Sequence, residues 1–148
     1  MSSSVLPLDN FLVINKSFLN DSDRLILSLL YQPIVGNVAI GFYLTLWGLL
    51  NETDILSNSH SHYELVNSMQ LKLEDIVEAR EKLEAIGLIK TYVKKDKNEY
   101  VYELYAPLSV SEFLNIPVLE VALYKNLGKK EYDKIIKRFE LPAIDLTP

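Results

Sequence analysis

Between Met69 and Ala106 the chain passes from helical spacing to strand alternation across one glycine, Gly87. Leu73, Ile76, Val77, Leu83 and Ile86 recur at intervals of three, four and seven and mark the buried stripe of a helix. Gly87 is placed to end that helix in the left-handed conformation. Two strands follow, Leu88–Lys94 and Glu99–Ala106, around Asp96 and Lys97. With residue 94 opposite 99, Lys90 meets Glu103 and Ile89 meets Leu104, and both pairs are favourable. A helix, a tight corner and a hairpin in that order form the second half of a winged helix. The register places Ile89, Val93, Tyr100, Tyr102 and Leu104 on one face and Leu88, Tyr92, Val101 and Tyr105 on the other. A solvated wing has a polar outer face. This one is apolar or aromatic on both, so it is expected to be covered twice, once by its own domain and once by something else.

The remaining elements read as helices around that unit. Phe11–Lys16 is a short apolar run and a candidate strand. Asn20 to Asp23 supply capping groups for a helix from Asp23 to about Tyr31, which Pro33 is expected to stop. Gly36 and Asn37 open a second helix to about Asn51, apolar on nearly every side and centred on Trp47. Gly41 and Gly48 lie seven apart and predict a close helix neighbour. Residues 51–60 read as a polar loop. Ser61 with Glu64 makes a capping box for a short helix to about Met69. Gln70–Lys72 is the turn, and the next helix starts without a side-chain cap. Ser109 with Glu112 opens a further short helix through Leu114. A helix from Pro117 to Gly128 and another from Lys129 to about Glu140 complete the chain, with Tyr132, Ile135, Ile136 and Phe139 inward on the last. The expected fold class is therefore mainly α (α+β): a winged helix-turn-helix with a two-stranded wing, an N-terminal strand and extra C-terminal helices. The domain spans residues 11–140, between a flexible N-terminus (1–10) and the start of a linker (141–148).

Charge narrows the function. The wing's preceding helix carries Glu74, Asp75, Glu78, Glu81 and Glu84 against Lys72, Arg80 and Lys82. In a winged helix that enters DNA this element lies along phosphates, which a net negative helix repels. The chain as a whole has a net charge of −5 and a pI near 5.0. Residues 1–70 hold two basic and six acidic residues, whereas residues 125–138 hold six basic residues against Glu131 and Asp133. An anionic partner would meet the C-terminal end first. The candidate anion-binding residues, for DNA or another acidic partner, are Lys94, Lys95 and Lys97 at the wing tip, with Lys129, Lys130, Lys134, Lys137 and Arg138. The alternative for each group is a solvated, solubilising surface.

Other chemistries find little support. Cysteine is absent, which excludes disulfides, thiolate zinc sites and cysteine nucleophiles. His60 and His62 near Glu64 fall short of a closed metal site and read as solvated loop histidines. There is no phosphate-binding glycine loop or nucleophile–base spacing, so neither a cofactor, a metal nor an enzyme is expected. The stretch Leu25–Asn51 contains no charged residue. Its apolar part, Ile34–Leu50, would span only about 26 Å as a helix, and Gln32, Pro33, Gly36 and Asn37 interrupt the longer run. A buried central helix is expected there, with no transmembrane span.

Leu30 to Asn37 together with Tyr43 to Trp47 resemble the N-terminal domain of the DnaB-type primosomal proteins of Gram-positive bacteria. These are helicase-loading and membrane-attachment proteins, distinct from the replicative helicase of the same name. Ala79 to Leu88, Tyr102 to Ser109 and Leu127 to Lys130 continue the likeness, which covers roughly residues 8–140. It implies a winged-helix domain that forms homo-oligomers, dimer or tetramer. It also implies contact with other primosome proteins and the replicative helicase through a longer parent protein. In that family the single-strand DNA-binding modules lie further on, so weak or no DNA binding is expected here. The implied location is cytoplasmic, with membrane association as part of a replication complex. The self-association residues expected from the wing and the N-terminal strand are Phe11, Val13, Tyr92, Val101 and Tyr105. A winged-helix transcription regulator is the alternative, and it would need a basic recognition helix.

Overall fold

The computed structural model describes Val5, residues 9–50 and residues 56–140. Most of the expected flexible N-terminus, part of the loop at 51–60 and the linker at 141–148 lie outside the described residues. Along the described residues come β1 (Asn10–Asn15), α1 (Asp21–Ile26), a π turn (Leu27–Tyr31), α2 (Gln32–Gly48), β2 (His60–Ser61) and α3 (His62–Met69). After these come α4 (Leu73–Ala85), β3 (Ile89–Lys94), a 3-10 turn (Lys95–Lys97), β4 (Glu99–Leu104), α5 (Val110–Leu114), α6 (Pro117–Leu127) and α7 (Lys129–Glu140). The expected wing is present with the expected register: Lys94 opposite Glu99, Lys90 opposite Glu103, Ile89 opposite Leu104. Gly87 closes α4 at φ +80°, and Asn98 turns the hairpin tip at φ +49°.

The N-terminal strand enlarges the wing into a four-stranded sheet of order β2-β1-β4-β3. Strand β1 lies parallel to β4, with Phe11 beside Tyr100 and Val13 beside Tyr102, and β2 pairs antiparallel to it. One face of this sheet lies on the helices. Phe11, Val13, Tyr102 and Leu104 are fully buried there with Leu30, Phe42, Tyr43 and Leu46. Phe42 meets the Tyr102 ring edge-on at 6.1 Å. Helix α2 is the hub, packing against α4 on one flank and α6 on another.

Several local expectations change. Asn20 caps α1 through a reciprocal capping box with Asp23, so the helix starts at Asp21. Pro33 does not stop it. A proline ring crowds the carbonyl four residues back and offers no N–H; the turn just ahead of it widens to π geometry, where Gln32 N–H reaches Leu27 O. The break falls at Gly36, where the second helix is expected to open; its φ of +88° and ψ of 164° are non-helical. Helix α2 then ends at Gly48, short of Asn51, and Trp47 is only half-buried at its end, packed edge-on to Tyr43 at 6.2 Å. Among the described residues a Cβ at Gly41 would meet only Met69 Cε at 3.8 Å, and one at Gly48 nothing within 4 Å, so none of them is the expected close neighbour there. By length and composition Asp21–Gly48 is apolar enough to cross a membrane. In this fold its apolar side chains Leu30, Tyr31, Phe42, Tyr43 and Leu46 form the protein core.

Candidate protein-interaction surface

The second face of the sheet points away from the core helices. Strand alternation sets its rows: Leu12, Val101 and Tyr92 across β1, β4 and β3, then Ile14, Glu103 and Lys90. Leu56, half exposed, extends the Ile14 row through an antiparallel bridge. Tyr105 follows Glu103 on the same side. The residues expected to self-associate therefore separate. Tyr92 is 50% exposed and Tyr105 is partly exposed, and both lie on this outer face. Val101 shares the face but is largely covered by its neighbours, at 8% exposure. Phe11 and Val13 are withdrawn from any surface. They point to the opposite face and are fully buried, because their partners Tyr100 and Tyr102 face the helices. Strand β1 pairs within its own chain, against β4. Leu12 and Ile14, the alternating positions, take their place on the outer face.

At the centre of that face sits a carboxylate which the hydrophobic reading of the strands passed over. Glu103 is 9% exposed. It accepts hydrogen bonds from Tyr105 Oη and from Tyr92 Oη at 3.3 Å, and Lys16 Nζ stands 3.6 Å away. The Tyr105 hydroxyl and the Lys16 charge hold its carboxyl below the ordinary range despite partial desolvation. The same hydrogen bond pushes Tyr105 up to about 12. Lys90 lies over the Tyr105 ring, 5.5 Å from its centroid. The outer face is thus an apolar rim around a carboxylate already neutralised inside the chain. The one sequence signal for it was the cross-strand pair Lys90–Glu103.

The helix that would face DNA is more acidic outside than its composition implied. Arg80 is turned inward, 5% exposed, beside Glu84 at 3.5 Å. Glu74, Glu78 and Glu81 remain exposed with Lys82 on the outer side. The basic candidates lie elsewhere. Lys94 pairs with Glu99 at 3.7 Å, Lys129 with Asp133 at 2.7 Å and Lys134 with Glu131 at 3.8 Å. Lys97, Lys130, Lys137 and Arg138 make no ion pair among the described residues, and the Lys95 side chain lies outside them. These residues lie on two elements, the wing tip and α7.

The two histidines part company. His60 is only partly buried and its Nδ1 contacts Glu64 at 3.0 Å. His62, expected to be solvated, is 1% exposed. Its Nδ1 donates to the Asp9 carbonyl at 2.7 Å, which leaves Nε2 to accept from Tyr102 Oη at 2.6 Å. Burial, and then the nearby Arg80 charge, lower its pKa against the raising effect of the Asp9 carbonyl. Among the described residues no group of three or more His, Asp or Glu side chains could hold a metal ion.

The wing, the helix before it and the added N-terminal strand define the class: a winged-helix domain, here with an acidic outer helix. Comparison with known proteins makes the assignment specific. Residues 5–147 match the family model of the DnaB N-terminal winged helix domain, and the chain belongs to that family. It is 34% identical over 143 residues to the replicative helicase loading/DNA remodeling protein DnaB of Staphylococcus aureus, covering 95% of this chain and 31% of that protein. An uncharacterized protein of Mycoplasma pneumoniae is 28% identical over 118 residues, covering 74% of this chain and 29% of its own length. The crystal structure of primosome protein DnaB, residues 1–300, from Geobacillus stearothermophilus superposes with a TM-score of 0.85 at 32% identity. That match covers 98% of this chain and 58% of the crystallised one. The chain spans about a third of the length of the curated relatives it matches.

Proposed function

We propose that this domain is the oligomerisation and protein-interaction part of a DNA-replication initiation protein that helps load the replicative helicase. The staphylococcal relative, named for helicase loading and DNA remodeling, supports the process. The observation that carries the domain's role is the outer sheet face. Leu12, Ile14, Leu56, Tyr92 and Tyr105 surround Glu103, whose charge is already met by Lys16 and two tyrosine hydroxyls. Covering such a face with a second copy buries Glu103 with its charge already met, so its share of the desolvation penalty is reduced. The face is shared by identical copies, which suits a two-fold dimer. Other primosome proteins and the helicase are then met through the longer parent protein, in the cytoplasm and at the membrane as part of a replication complex. The acidic outer side of α4 disfavours the transcription-regulator reading.

The test is the mass in solution. Tyr92→Glu combined with Tyr105→Glu should abolish the sheet-face dimer in sedimentation velocity at physiological salt while far-UV circular dichroism stays unchanged. A wild-type chain that remains monomeric at high micromolar concentration would refute the reading.

A further inference from the structure

The outer sides of α4 and α7 carry complementary charge at the same spacing. On α4 the exposed carboxylates Glu74, Glu78 and Glu81 stand at positions i, i+4 and i+7. On α7 the exposed ammonium groups Lys130, Lys134 and Lys137 stand at i, i+4 and i+7 as well. Each set forms one stripe about 10 Å long on its helix. Little inside the chain consumes these charges. Glu74, Glu81, Lys130 and Lys137 make no ion pair among the described residues, while Glu78–Lys82 and Lys134–Glu131 are long, at 3.9 and 3.8 Å. Both stripes face solvent: α4 rests on α2, α3 and β3, and α7 rests on α6. Helix α7 has no buried residue at all, so nothing on its outer side is committed to the core.

We propose that α4 of one copy docks on α7 of another, Glu74, Glu78 and Glu81 against Lys130, Lys134 and Lys137. This is a head-to-tail contact between two different patches, whereas the outer sheet face meets itself. A heterologous contact added to a two-fold one links dimers into larger assemblies. Matching charge sets partner choice, orientation and encounter rate more than affinity. The contact is therefore weak alone, and it strengthens when two such pairs act together between dimers.

The partner is identified by charge exchange in the intact chain. One variant carries Lys130→Glu, Lys134→Glu and Lys137→Glu; a second carries Glu74→Lys, Glu78→Lys and Glu81→Lys; a third combines all six. In the first, both helices are acidic; in the second, both are basic. Each alone should lose assembly beyond the sheet-face dimer, with about tenfold weaker association in sedimentation velocity at low salt. Mixing the first with the second, or using the third alone, should restore it, and added salt should dissolve it again. The six-fold variant also controls for folding, because its stability and dimer mass report on the swapped surfaces directly. Single-set variants that assemble like wild type, or a mixture and a six-fold variant that both fail to recover, overturn the proposal. In a Tyr92→Glu, Tyr105→Glu background a weaker, salt-sensitive association should remain at low salt and high micromolar concentration, which separates failure of this contact from failure of the sheet-face reading. Its disappearance there would overturn the independent α4–α7 contact.

Discussion

Truncating His62 to alanine should be among the most costly single changes in the chain. The ring is enclosed by Phe11 at 4.9 Å, Tyr100 at 5.2 Å and Tyr102 at 5.7 Å between centroids. Its two nitrogens join three distant parts of the chain: the Asp9 carbonyl before β1, the start of α3, and Tyr102 in the central strand. Removal leaves a cavity and two polar groups without their partner, together worth about 3–5 kcal/mol. Tyr102→Phe keeps the packing and removes one hydrogen bond, at about 1–2 kcal/mol. In a double-mutant cycle by urea unfolding the two losses should fall short of adding, since they share one bond. The pH dependence follows from the lowered pKa. The unfolded chain takes up a proton at the ordinary histidine value, before the buried ring does. Stability from this group is therefore complete above about pH 6.5 and falls as pH drops from there towards the folded pKa. His62→Gln, which cannot titrate, should flatten the wild-type loss between pH 7 and pH 5.5, a window above the carboxylates. Identical slopes for wild type and His62→Gln, or a His62→Ala cost below 1 kcal/mol, would refute the buried neutral ring.

Gly36→Ala should destabilise by about 1–3 kcal/mol through backbone strain alone, because φ is +88° and an added Cβ meets nothing within 4 Å. A shift of the urea midpoint with an unchanged slope would show it, and no shift would argue for a different helix junction. Trp47→Ala should cost roughly 2–3 kcal/mol, below the value for an enclosed tryptophan, since the ring is only half-buried; native emission at a fully exposed wavelength would contradict its contact with Tyr43. DNA affinity should be weak, independent of sequence and lost between low and physiological salt, because the outer side of α4 is acidic. Tight binding to one duplex that survives Lys130→Glu, Lys134→Glu and Lys137→Glu would return the domain to the transcription-regulator class.

The wing and its register were readable because alternation, Gly87 and the Lys90–Glu103 pair all agreed locally. The helices Pro117–Leu127 and Lys129–Glu140 were readable from proline and glycine at their ends. The N-terminal strand was visible as a strand, but its partner was not. Parallel pairing of Phe11 with Tyr100 is non-local, and no turn between them advertises it. That missing partner carried the error in the candidate site: an unplaced strand left Phe11 and Val13 free for a second copy, when alternation against β4 assigned Leu12 and Ile14 to the open face. Pro33 misled for a related reason. Its cost is real, yet a widened turn absorbs it locally, and Gly36 breaks the helix three residues later. His62 was misplaced because burial depends on Tyr102, 40 residues away.

The parallel pairing of β1 with β4 also orders events during synthesis. Asn10 must wait for Glu99 and Asn15 for Leu104 before the sheet can close. Until then the largely apolar helices of Asp21–Gly48 have emerged with their apolar sides lacking the surface they finally cover. Closing so long a loop adds only a logarithmic entropy cost, but contacts this distant slow folding. The nascent chain therefore passes through a period in which its most hydrophobic segment is uncovered. A ribosome-bound truncation ending before β4 should be captured by chaperones, and one that extends past β4 should be released.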